Sequence, residues 1–217
     1  MSKATHVHLS ALVTLAVLAV TASVMNAATT NVTIFYETHC PDSQKLLVEQ
    51  VVPALNRFGS SVDFKLVPYG FASYRTQDGQ LIFQCQHGPP ECEGNTLHAC
   101  AIKHYPNVKV DVIRFAACTM QHGRQVLDFI DECASKHYLS PVALHSCASS
   151  KSEGPELLRQ MGVETTTAAS QMFPKTGRFQ FIPTVFIDGK PYVKEAFADL
   201  QGTICRVAVT KPPMCPQ

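Results

Sequence analysis

The sequence changes its hydrophobic period once, early, and that change constrains the fold more than any other feature. Val32, Ile34 and Tyr36 alternate with Thr33 and Phe35 in a β-rich run, the two-residue period of a buried strand. Beyond Thr38-His39-Cys40-Pro41-Asp42-Ser43, Leu47, Val51, Ala54, Leu55 and Phe58 recur at helical spacing. Pro41 suits the first helical position, which makes Cys40 the N-cap. A sulfur there faces unsatisfied backbone N–H groups and the positive end of the helix dipole, and both favour its thiolate.

Pro53 falls inside this helix, so a kink is expected near Val52. Gly59-Ser60-Ser61 breaks it, and Val62, Phe64, Leu66 and Pro68 form a second strand ending at Pro68-Tyr69-Gly70. A β-α-β unit with this crossover has parallel strands. From Phe71 to about Arg178 the pattern loosens. Gln77-Asp78-Gly79-Gln80 marks a hairpin, and a cysteine-rich loop runs to Asn95. Helices are expected at Thr96–His104, Val126–His137, Ser140–Cys147 and Pro155–Met161, the last closed by Gly162. Val108–Phe115 reads as strand or as helix. The β pattern returns at Phe179 and runs to Ile187. Asp188-Gly189 turns it into a short return over Pro191–Val193, and a helix follows from Ala196 to Val209.

These pieces assemble as an α/β, thioredoxin-like fold with a mostly helical, disulfide-rich insertion. The domain spans 29–217, with a core of about 30–70 and 178–209 and an insertion of about 71–177. In that fold the strand after the insertion begins with a cis-proline facing the active cysteine, and Pro183 stands at that place, after Ile182. The alternative is an ordinary trans-proline at an edge, since only about 5–6% of X-Pro bonds are cis.

Residues 1–28 have a different character. Lys3 precedes an apolar run from Leu9 to Val20, and Asn26-Ala27-Ala28 follows, which reads as a secretory signal peptide cut near Ala27 or Ala28. A membrane anchor is the alternative, but the run is shorter than the ~20 residues a span needs. No other segment suggests a membrane span. A net charge of +1 gives no reason to expect a nucleic-acid partner. Nine cysteines in a secreted chain imply an oxidised framework, and the count is odd. With Cys40 as the free thiol, Cys85, Cys92, Cys100, Cys118, Cys133, Cys147, Cys205 and Cys215 can form four bridges in any of 105 connectivities. The alternative makes Cys40 structural and leaves another cysteine over. Asn31-Val32-Thr33 is an N-glycosylation sequon at Asn31.

At Cys85-Gln86-His87-Gly88-Pro89-Pro90-Glu91-Cys92-Glu93-Gly94-Asn95, followed by Cys100, the chain resembles the signature of gamma-interferon-inducible lysosomal thiol reductases. The resemblance implies a thioredoxin-like reductase that opens disulfides of protein substrates in acidic endosomes and lysosomes, in immunity. It implies Cys40 as attacking residue and Ile182 and Pro183 as the substrate-binding edge. The family's active pair is Cys-x-x-Cys, whereas here it is Cys40-Pro41-Asp42-Ser43. A second thiol would release the mixed disulfide internally. With Ser43 in its place, release falls to an external small thiol such as cysteine or glutathione, and no other cofactor is expected. Ser43 keeps a hydroxyl that can hydrogen-bond the Cys40 thiolate. A second reading is a non-catalytic binder of protein substrates that has lost turnover with the second cysteine. Secreted and lysosomal locations both stay open.

Acidity bears on Cys40. At pH ~5 a thiol of ordinary pKa is ionised in roughly one molecule in three thousand. The helix terminus and a protonated His39 are expected to lower the Cys40 pKa, against Asp42; the alternative leaves His39 as a solvated turn residue. Cys85, His87, Cys92 and Cys100 together suggest zinc, but their spacings are not the close pairs of structural zinc sites. A disulfide-stapled loop is expected there, with no metal, and with His87 and Glu91 bracing its turn; the alternative has them position substrate.

Overall fold

The computed structural model describes residues 29–216, so the expected leader at 1–28 lies outside the described residues. β1 (Thr30–Tyr36) occupies an inner position of the sheet. It pairs in parallel with β2 (Val62–Pro68), setting Ile34 opposite Leu66. On its other side it pairs antiparallel with β5 (Thr184–Ile187), setting Ile34 opposite Val185. The two-residue β6 (Lys190–Pro191) completes the order β2-β1-β5-β6. Asp188 and Gly189, both at positive φ, turn β5 into β6, as the Asp-Gly pair predicts.

The alternation of β1 sorts its side chains between two faces. Val32, Ile34 and Tyr36 are fully buried in the larger core. Phe35 faces the other way, with Val67 of β2 and Phe186 of β5, against Phe179 and Ala169. Cys40 and Ile182 belong to this second, smaller cluster.

The first helix runs from α1 (Pro41–Lys45) through a π-helical stretch, Leu46–Val51, into α2 (Val52–Phe58). Pro53 has no N–H to close an α-helical turn, and the widened turns fall directly before it. The hairpin of β3 (Ser73–Gln77) and β4 (Gln80–Gln84) turns at Asp78 and Gly79.

Several helix boundaries differ from expectation. α3 (Pro89–His104) begins seven residues before Thr96, because Pro89 and Pro90 fill its first positions and Gly88 precedes it. The cysteine-rich stretch is therefore mostly helix rather than loop. Val108–Phe115 resolves as helix within α4 (Lys109–Met120). A 3₁₀ segment, Gly123–Phe129, leads into α5 (Ile130–Lys136), where a continuous helix from Val126 is expected. α6 (Pro141–Ser149) is capped by Ser140, whose Oγ accepts the Ala143 N–H at 3.3 Å. α7 (Glu153–Met172) runs through Gly162 instead of ending there. The last helix divides into α8 (Val193–Ala198) and α9 (Leu200–Val207) at Asp199, whose carboxylate accepts the Gly202 N–H at 2.8 Å. No helix among the described residues is long and apolar enough to cross a membrane.

Four disulfides pin these elements. Cys85–Cys92 staples the approach to α3, Cys100–Cys147 joins α3 to α6, and Cys118–Cys133 joins α4 to α5. Cys205–Cys215 fastens the tail to α9. His98 of α3 links the layers: its ring lies 2.9 Å from both Tyr36 Oη and Thr119 Oγ1. Burial lowers its pKa to about 3 and keeps it neutral.

Gly162 has a packing reason. A Cβ built there stands 2.6 Å from Cζ and 2.7 Å from Cε2 of Tyr69, a buried ring with little room to retreat. Gly162→Ala gains about 1 kcal/mol of helix propensity but overpacks this contact by about 1–3 kcal/mol. We expect a net loss of stability in thermal unfolding. A raised melting temperature would show that Tyr69 yields freely.

Candidate active site

Cys40 lies four residues beyond β1, at the start of α1. Its carbonyl accepts the Gln44 N–H at 3.0 Å, which closes the first helical turn. Gln44 Nε2 donates to Thr38 O at 2.9 Å and to Gly123 O at 2.7 Å, bracing the turn from the far side. α3 braces it as well: Asn95 Oδ1 accepts the Thr38 N–H at 3.0 Å, and Thr38 Oγ1 donates to the Glu91 carbonyl at 3.3 Å. Gly94 permits that approach, since a Cβ there stands 2.6 Å from Thr38 Oγ1. The signature segment thus holds the reactive turn in place.

Cys40 is the free cysteine among the described residues, which include all nine. It is 8% exposed, and its Sγ lies 3.7 Å from the carbonyl oxygen of Ile182. The Ile182–Pro183 peptide is cis, and Thr184 Oγ1 donates to Phe181 O at 2.6 Å across this bend. Three of the residues singled out in the sequence, Cys40, Ile182 and Pro183, therefore meet at one point. Ser43 is fully buried one helical turn from Cys40, and its Oγ accepts the Glu37 N–H at 3.3 Å. Asn31 is exposed at the distant end of β1; its amide donates to Thr29 O at 3.3 Å.

The electrostatics correct two expectations. Burial pushes the Cys40 thiol above its usual pKa, and the nearby Glu37 adds to this. The Ser43 hydroxyl and the N–H groups of Ser43 and Asp42 act toward the thiolate, but they do not prevail. The helix terminus is present as expected, and desolvation outweighs it.

His39, expected to tune the thiolate, is not placed to do so. It is 4% exposed, its Nε2 lies 3.2 Å from the Arg124 carbonyl, and its Nδ1 lies 3.3 Å from Thr38 Oγ1. Burial holds it below the usual histidine range, against the pull of Glu91, so it resists taking up the positive charge. Nor is it a solvated turn residue.

The sequence reading passes over Glu37. Its carboxyl is fully buried between the Gly70 turn and α3. Oε1 accepts the Phe71 N–H at 2.6 Å, while Oε2 has no hydrogen-bond partner. Burial and the neighbouring Glu91 raise its pKa to about 8, against the Phe71 hydrogen bond. Glu91 is also buried; it accepts the His87 N–H at 3.0 Å and faces His87 Nδ1 at 2.6 Å. The available signal is a single acidic residue closing an apolar strand.

Cys85 and Cys92 are bonded to each other and Cys100 to Cys147, so none of the three is a thiolate ligand for zinc. The chemistry within reach is a free thiol flanked by a hydroxyl and by an exposed apolar edge at Phe181. Such a thiol can attack a disulfide sulfur.

Comparisons with known proteins agree with this geometry. Among solved structures the chain is similar to DsbA from Chlamydia trachomatis, with a TM-score of 0.57 and 16% identity, covering 82% of this chain and 85% of that one. It is also similar to oxidised BdbD from Bacillus subtilis, with a TM-score of 0.56 and 13% identity, covering 82% and 86%. These likenesses establish the thioredoxin-like fold. In sequence, the chain is 34% identical to GILT-like protein 1 of Drosophila melanogaster over 213 residues, covering 90% of this chain and 82% of that protein. It is 28% identical to the gamma-interferon-inducible lysosomal thiol reductase of Carassius auratus over 167 residues, covering 76% and 62%. Residues 31–137 match the family model for gamma interferon inducible lysosomal thiol reductase. A free cysteine at a helix start, a cis-proline beside it and this kinship together show that the chain belongs to the gamma-interferon-inducible lysosomal thiol reductase family.

Proposed function

We propose that this chain reduces protein disulfides through Cys40 as a monothiol thiol–disulfide oxidoreductase. The observation that carries the reading is the cysteine inventory: eight cysteines are locked in four bridges, and Cys40 alone is free, 3.7 Å from the carbonyl before Pro183.

The Cys40 thiolate attacks one sulfur of a substrate disulfide. A Cys40–substrate disulfide forms, and the second substrate sulfur leaves as a thiolate that takes a proton. Where the family pattern has a second cysteine, Ser43 has no sulfur to displace the substrate. An external thiol attacks the mixed disulfide at the Cys40 sulfur and releases the second substrate thiol. A second external thiol then frees Cys40 and leaves as the oxidised small disulfide. One substrate disulfide and two external thiols thus become one substrate dithiol and one small-molecule disulfide. No bound cofactor enters this cycle. Ile182 and Pro183 offer backbone to an extended substrate. The names of its relatives support a lysosomal setting and a role in immunity, and the expected leader and the Asn31 sequon suit a glycosylated protein on the secretory route.

Ser43→Cys tests the monothiol step. It places a thiol one helical turn from Cys40, within disulfide reach. Insulin reduction at acidic pH should rise several-fold in the variant when cysteine is scarce, and the two proteins should converge when cysteine is abundant. Non-reducing gels should show longer-lived mixed disulfides in the wild type. Wild-type turnover that is independent of external thiol would exclude the monothiol cycle. Failure of both proteins to reduce insulin at any thiol concentration would favour the reading as a binder.

A further inference from the structure

Glu37 directly follows β1 and Glu91 lies in the first turn of α3, 54 residues later, yet the fold sets both carboxyls beside one imidazole. His87 Nδ1 lies 2.6 Å from Glu91 Oε1 and 3.9 Å from Glu37 Oε2. The three ligand atoms all lie within 4.8 Å of one another. Glu37 and Glu91 are fully buried, whereas the His87 side chain is 20% exposed and opens the cluster to solvent. Two buried carboxylates this close repel one another unless one of them holds a proton or a cation lies between them.

Glu37 Oε2 is the second observation. It is one of two buried side-chain polar atoms among the described residues without a hydrogen-bond partner. Buried carboxylate oxygens normally find a donor or a cation. The backbone could have supplied one, as it does for Oε1 through Phe71. Instead Oε2 points at the His87–Glu91 pair.

The geometry points to a divalent transition-metal site formed by Glu37 Oε2, His87 Nδ1 and Glu91 Oε1. One imidazole and two carboxylates suit zinc and its first-row neighbours. Metal–ligand bonds of about 2.0–2.2 Å in a tetrahedron set ligand atoms roughly 3.3 Å apart, between the 2.6 and 3.9 Å found here. Closing the site needs only a small opening of the His87–Glu91 contact and a small advance of Glu37. The fourth position falls on the solvent side, beside His87. The expectation of no metal rests on the spacing of cysteine ligands, and Glu37 lies outside that set. The site also goes beyond the proposed reductase activity, since Cys40 supplies no ligand to it.

The test therefore removes the thiol. Cys40→Ser protein, stripped with chelator, is titrated with Zn²⁺ in a calorimeter, and Co²⁺ serves as the spectroscopic probe. One equivalent should bind, with a visible cobalt spectrum of nitrogen and oxygen ligands and no sulfur charge-transfer band. Adding Glu37→Gln or His87→Ala should weaken binding by more than about 100-fold, beyond what loss of an outer contact costs. Glu153→Gln, at the separate His104–Glu153 pair, should leave it unchanged. Circular dichroism of each variant shows that the fold persists. Absence of binding, binding that survives Glu37→Gln, or binding that needs Cys40 would each overturn the site.

Discussion

Cys40→Ser should reduce disulfide-reductase activity by at least about a thousandfold, the scale of losing a covalent nucleophile. The remaining cysteines are engaged in bridges, so nothing else can take over the attack. The wild-type thiol should also show its environment directly. Because burial and Glu37 hold the Cys40 pKa above the usual thiol value, the thiolate fraction grows about tenfold per pH unit across the acidic and neutral range. Iodoacetamide alkylation of Cys40 should climb accordingly from pH 5 to pH 8 without a plateau. A plateau near pH 5 to 6 would mean that the N–H groups of Asp42 and Ser43 outweigh burial after all. In an acidic compartment the protein would then meet its substrates with a ready thiolate. On the present geometry Cys40 is held mainly as the thiol there.

Glu37→Gln should stabilise the protein at alkaline pH and leave it nearly unchanged in acid. Glu37 has a folded-state pKa of about 8 against an ordinary 4.5. The folded protein therefore holds a proton that the unfolded chain has released anywhere between those values. Stability from this group is complete below pH 4.5, falls as pH rises, and is lost above about pH 8. The range corresponds to something on the order of 3–5 kcal/mol. Glutamine keeps an acceptor for the Phe71 N–H and brings no charge. In chelator, calorimetry at pH 8.5 should find the variant melting about 10 °C above wild type, with little difference at pH 4.5. Equal shifts at both values would show that Glu37 is not a buried proton holder.

Much of the active turn was legible because it is local. The alternation through Tyr36 and the Cys40-Pro41 pair specify strand, turn and helix within a dozen residues. Pro183 could be placed opposite Cys40 only through the fold family, since the two are 143 positions apart. The start of α3 was missed because Cys85 and Cys92 suggested a loop, although Pro89 and Pro90 carried a helix signal. Gly162 looked like a stop, but it is a close approach to Tyr69, and a helix ending and a helix packing can demand the same residue. The direction of the Cys40 pKa departs from expectation for a different reason. The charges near the sulfur can be read in order along the chain, whereas its burial in the cluster that includes Phe35, Val67 and Phe186 cannot. Glu37 shows in the sequence only as a lone acidic residue after an apolar strand, and its meaning comes from Glu91 and His87, which the fold brings to it.

The distribution of the four bridges has a consequence under the proposed cycle, in which small external thiols recycle Cys40. Reagents that recycle Cys40 can also attack its own disulfides, and exposure decides which they reach first. Cys100, Cys147, Cys118 and Cys133 are all buried, whereas Cys205 and Cys215 are both partly open to solvent. The tail clip, open at both sulfurs, would then be reduced first, and Cys100–Cys147 and Cys118–Cys133 would keep the helical layers fastened longer. In the remaining bridge, Cys85–Cys92, Cys92 alone is partly open, so wear would begin at the tail, away from the turn that holds Cys40.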